Sequence, residues 1–168
     1  MSIFRFFVAV SIVAGLTSSM PAAEQRIEVS QIIGKAEAAA ILGEPVKDPS
    51  TRSGDGGDGY YSKCNYYTVR RGKSLVIRFQ LPGPNAVPPR TELDLLAAAN
   101  GAMEKVTGVG DAAQMLVTGG DSGVASRVLM LYIAKGNVFL TIGISGFADD
   151  AVALEKAKTV AQKLFDRL

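Results

Sequence analysis

Two neighbouring segments in the first half of the chain alternate apolar and polar side chains with the period of a β-strand. Residues 60–69 (YYSKCNYYTV) are rich in aromatic and β-branched side chains, which are enriched in strands. Residues 75–81 (LVIRFQL) place Leu, Ile, Phe and Leu at every other position. Because residues 70–73 (RRGK) form a tight turn, we predict a hairpin whose second strand directs these four apolar side chains into the core.

The first strand of this hairpin carries the only cysteine of the chain, Cys64. A lone cysteine cannot form an intramolecular disulfide, so Cys64 is a buried apolar residue, a free thiol or a bridge between chains. We favour burial, since free cysteine is among the most buried residue types. By alternation, one face of the strand carries Tyr60, Ser62, Cys64, Tyr66 and Thr68, and the other carries Tyr61, Lys63, Asn65, Tyr67 and Val69.

Helices and further strands surround this hairpin, and their order sets the fold class. Residues 47–59, rich in Gly, Asp and Ser, are predicted to be a loop. The order α-β-β-α-β-β-β-α indicates an α+β domain with one antiparallel sheet and helices packed on it. The other predicted elements are a helix over 35–42 that stops at Gly43, a helix over 91–106 capped by Thr91, a short strand over 114–117, strands over 127–133 and 138–145, and a final helix capped by Asp149.

The final helix has an apolar stripe at helical spacing, which predicts the side that packs on the sheet. Lysine and arginine side chains lie mostly off this stripe, several of them near the C-terminal end, where cations interact favourably with the helix dipole. The predicted buried stripe consists of Val152, Leu154, Ala157, Val160, Ala161, Leu164, Phe165 and Leu168.

The first 23 residues have the n-, h- and c-region order of a secretory signal peptide. Arg5 precedes an uncharged apolar run over residues 6–16, which is shorter than the roughly 20 residues that a membrane span needs. We therefore expect a cleaved signal peptide at 1–23, a flexible segment at 24–31 and a single domain at 32–168. The mature protein is expected in the periplasm or outside the cell, without stable insertion in a membrane.

Composition excludes several classes of chemistry. Without residues 1–23 the chain keeps 17 basic and 16 acidic residues, a balance that gives no overall attraction to nucleic acid. The chain has no histidine and a single cysteine, so the usual ligands of zinc are missing. The sequence therefore predicts no nucleic acid partner, no metal and no cofactor. Paired carboxylates for hydrolysis stay open, with Asp149 and Asp150 as the candidate pair, although a helix cap accounts for them.

The string Gly120-Asp121-Ser122-Gly123 is the one that surrounds the nucleophile of trypsin-like proteases. That chemistry needs a general base, usually histidine, to take the serine proton. The chain has no histidine, and Gly, Asp and Ser are common in hairpin turns. We predict a turn here and no catalytic residues.

Two other glycine-rich strings match dinucleotide-binding patterns. Residues 54–59 (GDGGDG) fit G-x-G-x-x-G, and residues 108–113 (GVGDAA) fit its variant ending in Ala. A dinucleotide site needs a strand before the glycines and a helix after them, and neither string has this context. Both are predicted to be loops. Asp55 and Asp58 are only a weak calcium candidate, because their spacing does not match an EF-hand.

The most suggestive surface is the basic one on the first hairpin. Arginine and tyrosine are enriched at binding surfaces, and an anionic partner would suit the charge. The alternative is an ordinary solvated turn and outer sheet face. The candidate binding surface consists of Tyr61, Lys63, Tyr67, Arg70, Arg71, Lys73 and Arg78.

Three sequence features together resemble a known group of proteins. They are residues 39–46 (AAILGEPV), which end the first helix, the Cys64-x-Tyr66 pair on a strand, and residues 106–113 (VTGVGDAA), followed by a Lys-Gly-Asn turn and a closing amphipathic helix. The chain resembles uncharacterised bacterial secreted proteins and lipoproteins, including actinobacterial lipoprotein domains of the mycobacterial LpqN type and kinase extracellular sensor-like domains. The resemblance implies an α+β envelope module without catalytic residues. The chain differs in having no lipidated cysteine and only one cysteine in the domain.

These observations lead to a functional expectation. We expect an exported, non-enzymatic module of the bacterial envelope that binds a protein, a lipid or a small ligand. One alternative is a hydrolase-type enzyme that uses carboxylates or tyrosine in a cleft, which a pocket with two acids of displaced pKa would favour. Another alternative is a structural envelope protein.

Overall fold

The computed structural model describes residues 26–70, 72–119 and 127–168. The predicted signal peptide at 1–23 and the GDSG string at 120–123 lie outside these ranges, as does Arg71. The elements are α1 Val29–Ile32, α2 Lys35–Leu42, β1 Ser50–Gly56, β2 Gly59–Tyr67, β3 Ser74–Pro82, α3 Pro89–Asn100, β4 Glu104–Val106, β5 Ala112–Thr118, β6 Val128–Lys135, β7 Val138–Ser145 and α4 Asp150–Phe165.

The strands form one seven-stranded sheet in the order β1-β2-β3-β7-β6-β5-β4. Every pair of neighbouring strands is antiparallel. The first three strands and the last four are therefore two sequential meanders joined where β3 meets β7. The predicted α+β class with a single antiparallel sheet is confirmed.

The main core lies on one face of the sheet, under α1, α2 and α4. The inward set predicted for the second strand of the first hairpin is correct, because Leu75, Ile77 and Phe79 are fully buried, and Cys64 on the first strand is buried as predicted. A smaller cluster on the opposite face packs α3, through Leu93, on β6 and β7. No helix among the described residues is long and apolar enough to span a membrane.

The final helix follows its prediction except at its two ends. Asp149 caps it, since its side chain accepts a hydrogen bond of 2.7 Å from the backbone N–H of Ala151. The prediction was wrong for Val152 and Leu168, which are 44% and 46% exposed. Ala153 is buried instead, because it is one turn before Ala157 on the side that packs on the sheet.

Two strands lie where other structure was expected. β1 occupies residues 50–56 of the predicted loop, paired with β2 through a two-residue turn at Gly57 and Asp58. β4 occupies residues 104–106 of the predicted helix. Both strands lie at the edges of the sheet and are largely exposed, so neither has an alternating apolar pattern. Their strand conformation depends on pairing with a neighbouring strand rather than on burial.

The boundaries of α3 also differ from the prediction. The helix begins at Pro89 after Pro88, so Thr91 is not its cap. Proline is favoured at the first helical position because its missing N–H has no partner to lose there. The helix ends before Gly101, whose left-handed φ of 62° stops it. Residues after Gly101 are therefore available to enter the sheet as β4.

The segment before the predicted domain is packed rather than flexible. Ile27 and Val29 are 4% and 0% exposed and belong to the main core. The N–H of Val29 donates to the Ser62 hydroxyl at 3.0 Å, and the Tyr60 hydroxyl donates to Glu28 Oε1, also at 3.0 Å. The expectation of a flexible segment over 24–31 is thus wrong for the described residues from Arg26 onward, because apolar side chains alternate with the polar ones.

Candidate functional site

The second face of the sheet is only partly covered. Helix α3 packs on it over β5, β6 and β7. Over β1, β2 and β3 the described part of the chain places no helix on this face. We call this uncovered part of β1–β3 the open face.

Three basic side chains lie side by side across the open face. Arg52 of β1 pairs with Lys63 of β2, and Lys63 pairs with Arg78 of β3. All three residues are exposed, and because strands are about 4.8 Å apart, the row spans about 10 Å. Like charges directly opposite each other destabilise a strand pair, so a bound anion would relieve a local cost. We call Arg52, Lys63 and Arg78 the cationic row.

Aromatic side chains of β2 flank the row on the same face. Tyr61 is half-buried and lies opposite Gln80, and Tyr67 is 48% exposed. Asn65 lies between Lys63 and Tyr67, and its side-chain oxygen is buried without a hydrogen-bond partner in the described residues. An unpaired buried acceptor also costs stability. The open face therefore contains two features that destabilise the fold, the repulsion within the cationic row and the unpaired oxygen of Asn65.

Lys73 does not join this surface. Its ammonium group lies 2.8 Å from Glu44 Oε1 and donates to the carbonyl of Leu42 at 3.1 Å. Lys156 donates to the neighbouring carbonyl of Ile41 at 2.6 Å. The two lysines thus satisfy carbonyls at the C-terminal end of α2, where cations are favourable. Of the other turn residues in the candidate surface, Arg70 is exposed, and Arg71 lies outside the described ranges.

A cleft of about 450 Å³ lies between the open face and α3. A smaller depression of about 150 Å³ continues from it toward the β1–β2 turn and Tyr61. Arg78 lines both and is also the end of the cationic row. The cleft has the volume of a small-ligand site. Its main lining residues are Asp58, Arg78, Gln80, Val87, Glu92 and Leu95.

Glu92 is the acid of this cleft with a displaced pKa. Burial raises the pKa of its carboxyl above the usual range, the nearby Arg78 opposes this, and the negative charge of Asp58 adds to it. Arg78 therefore shares the cleft with two acids, Glu92 of α3 and Asp58 of the β1–β2 turn, and has Lys63 of β2 beside it in the cationic row. Sequence reasoning missed Glu92, because only the fold brings α3 next to β3.

The remaining candidate residues have structural roles. Asp55 forms an ion pair of 2.9 Å with Arg26. Asp149 caps α4, and Asp150 accepts a hydrogen bond of 2.7 Å from Arg127, which lowers the pKa of Asp150. Within residues 26–70, 72–119 and 127–168, no three cysteine, aspartate or glutamate side chains form a cluster that could hold a metal ion.

The two glycine-rich strings are not followed by helices. Residues 54–59 form the end of β1, its turn and the start of β2, and residues 108–113 lead into β5. Neither therefore presents the helix N-terminus that a dinucleotide phosphate needs. Cys64 is buried, as predicted, and burial raises the pKa of its thiol.

No protein-family model matches this chain, and no curated protein matches its sequence significantly. The resemblance to LpqN-type lipoproteins and sensor-like domains therefore stays a prediction.

Proposed function

We propose that this protein is an exported, non-enzymatic binding module of the bacterial envelope, and that its open face contacts an anionic partner. The partner is an envelope protein, a lipid or a small ligand that carries negative charge. The signal-peptide pattern of residues 1–23 is what supports export to the periplasm or the medium.

The cationic row is the observation that carries this proposal. Three exposed cations in register across three strands repel one another. The sheet does not need them, because the outer face of an antiparallel sheet accepts neutral polar residues equally well. Tyr61 and Tyr67 beside the row add the aromatic surface that is common at binding sites.

The test is to remove the row and compare the protein with a variant of equal net charge. Arg52→Ser, Lys63→Ser and Arg78→Ser are combined in one variant. The control combines Lys35→Ser, Lys47→Ser and Arg167→Ser, three exposed positions away from the row. Both proteins are loaded on a heparin resin, as a general polyanion probe, and eluted with a salt gradient.

We expect the row variant to elute at clearly lower salt than the control, because the row concentrates three positive charges on one surface. Circular dichroism establishes that both variants are folded. Elution of the two variants at the same salt concentration would contradict the proposal, since net charge alone would then account for retention.

The hydrolase alternative has one observation in its favour, the raised pKa of Glu92 beside Asp58 in the cleft. A raised pKa is typical of a general acid. A hydrolytic activity found with a panel of chromogenic glycosides and esters, and lost in Glu92→Gln, would establish this alternative in place of the binding module.

A further inference from the structure

Among the residues that the structure describes, strand β1 is an open edge of the sheet. It is the terminal strand, pairs only with β2 among the described strands, and runs for seven residues. Its register with β2 is regular from Ser50 to Gly56, so no bulge interrupts it. Its sequence, STRSGDG, contains no proline and no lysine. Long regular edges of this kind are templates for another strand, and most proteins protect them.

The other edge of the sheet is protected. Strand β4 has only three residues, two of which are the exposed charges Glu104 and Lys105. Short strands and charged side chains are common ways to prevent edge pairing. The two edges therefore differ chiefly in length, because β1, which also carries the exposed charges Arg52 and Asp55, offers seven residues against three in β4.

The hydrogen bonds next to β1 define which of its backbone groups point outward. The N–H of Gly83 donates to the Asp58 carbonyl at 2.8 Å, and the N–H of Lys47 donates to the Tyr67 carbonyl at 2.9 Å. Even-numbered residues of β2 therefore bond toward β3, and odd-numbered residues bond toward β1. In the antiparallel register this leaves the N–H and C=O groups of Thr51, Ser53 and Asp55 directed away from the sheet.

We propose that β1 accepts an additional strand, an extended acidic segment of a partner protein. Backbone hydrogen bonds to Thr51, Ser53 and Asp55 would supply affinity, as in other cases of strand addition. The inference rests on the proposed function, because it identifies the anionic partner of the open face as a polypeptide.

Charge complementarity selects the acidic segment. Arg52 lies at the outer end of the cationic row, on the strand that the partner would join. Its own backbone groups bond to β2, so the residue opposite it in an added antiparallel strand forms a non-hydrogen-bonded pair, in which side chains are closest. An aspartate or glutamate there neutralises the end of the row.

The same charges disfavour a second copy of the chain. Two β1 strands centred on Ser53 would bring two cationic rows next to each other in one continuous sheet. Centring them on Arg52 would place this arginine opposite itself. Both arrangements juxtapose like charges, which destabilises strand pairing.

The test uses Ser53→Pro in the full chain. Proline removes one outward N–H but no bond to β2, so the fold is retained, as expected of proline on an edge strand. Ser53→Thr is the matched control that keeps the N–H. The probe is a random seven-residue peptide library displayed on phage and selected on the wild-type protein.

We expect enriched peptides with aspartate or glutamate that bind Ser53→Pro at least ten-fold more weakly than Ser53→Thr. Peptide binding should also slow hydrogen exchange at the amides of Thr51, Ser53 and Asp55. No enrichment over background, or equal binding to both variants, would overturn the inference. So would a wild-type dimer in sedimentation experiments that Ser53→Pro abolishes, because the occupant would then be a second copy.

The row variant separates this inference from the proposed function. Peptides that lose binding to the row variant but not to Ser53→Pro would leave the anionic surface intact and overturn strand addition. Peptides that lose binding to Ser53→Pro but not to the row variant would overturn both the acidic character of the segment and the proposed function.

Discussion

At the scale of single residues, the lysines of the first hairpin have different environments. Lys63 is exposed in the cationic row. Lys73 is half-buried, forms an ion pair with Glu44 and donates a hydrogen bond to the C-terminal end of α2. The sequence placed both in one basic surface, because a side chain's partner 30 residues away is not visible in a local pattern.

Lys73→Met should therefore destabilise the protein, and Lys63→Met should not. Methionine keeps the apolar stem of Lys73 but removes the ion pair and the hydrogen bond to Leu42, for a loss of about 1–2 kcal/mol in unfolding free energy. Removing Lys63 relieves repulsion within the row, so its variant should be unchanged or slightly more stable. Urea unfolding measures both, and equal stabilities would refute the structural role of Lys73.

Glu92 gives the protein a pH dependence that can be isolated. Its pKa is raised on folding, chiefly by burial. The folded state thus binds this proton more tightly, and the associated stability is present below the unfolded pKa and lost as the pH rises through the folded value. We expect Glu92→Gln to gain stability relative to the wild type between pH 4 and pH 7.

Urea unfolding of both proteins at these two pH values checks this prediction. Other carboxylates contribute equally to wild type and variant, so only the difference between the two proteins is informative. A difference that stays constant would show that Arg78 cancels the effect of burial on the pKa of Glu92, and a change in favour of the wild type as pH rises would show that Arg78 outweighs burial; either result would contradict the prediction.

At the scale of elements, the sequence predicts strands that are half buried and misses those at the edges. The β2–β3 hairpin was predicted from its alternation, which exists because one face of each strand packs in the core. Residues 50–56 have no apolar alternation, since β1 is largely exposed. Arg52 was missed for this reason, and with it the cationic row, which depends on the register between β1 and β2.

The turn between β1 and β2 depends on Gly59. This residue has a φ of 117°, and an added Cβ would lie 2.1 Å from the carbonyl oxygen of Leu81. Gly59→Ala combines backbone strain with a clash against main-chain atoms, so we expect a loss of at least about 3 kcal/mol in unfolding free energy.

Gly54→Ala in the same hairpin is the matched control, because a Cβ there meets nothing within 4 Å. Thermal unfolding of the two variants compares them directly. Similar melting temperatures would mean that the crossing of the turn over β3 is less close than described, or that it relaxes at little cost.

At the scale of the whole molecule, the two faces of the sheet differ in what covers them. Three helices cover one face and supply the main core, while the other face bears α3, the cleft and the cationic row. The sequence allowed the fold class to be predicted, since it depends on local periodicity, and it singled out Lys63 and Arg78 of the proposed binding surface. The cleft was not predictable, because Asp58, Arg78 and Glu92 come from three separate elements.

The strand order has a consequence for how the chain acquires its structure. Within each meander, strands that are neighbours in space are also neighbours in sequence, so their hairpins close small loops. The pairing of β3 with β7 instead brings together strands separated by residues 83–137. Ordering that long intervening chain is entropically costly before any contact compensates for it. We therefore expect the pairing of β3 with β7, which lies at the centre of the main core, to be the rate-limiting step of folding. The cleft beside Arg78 takes shape only when these two strands pair.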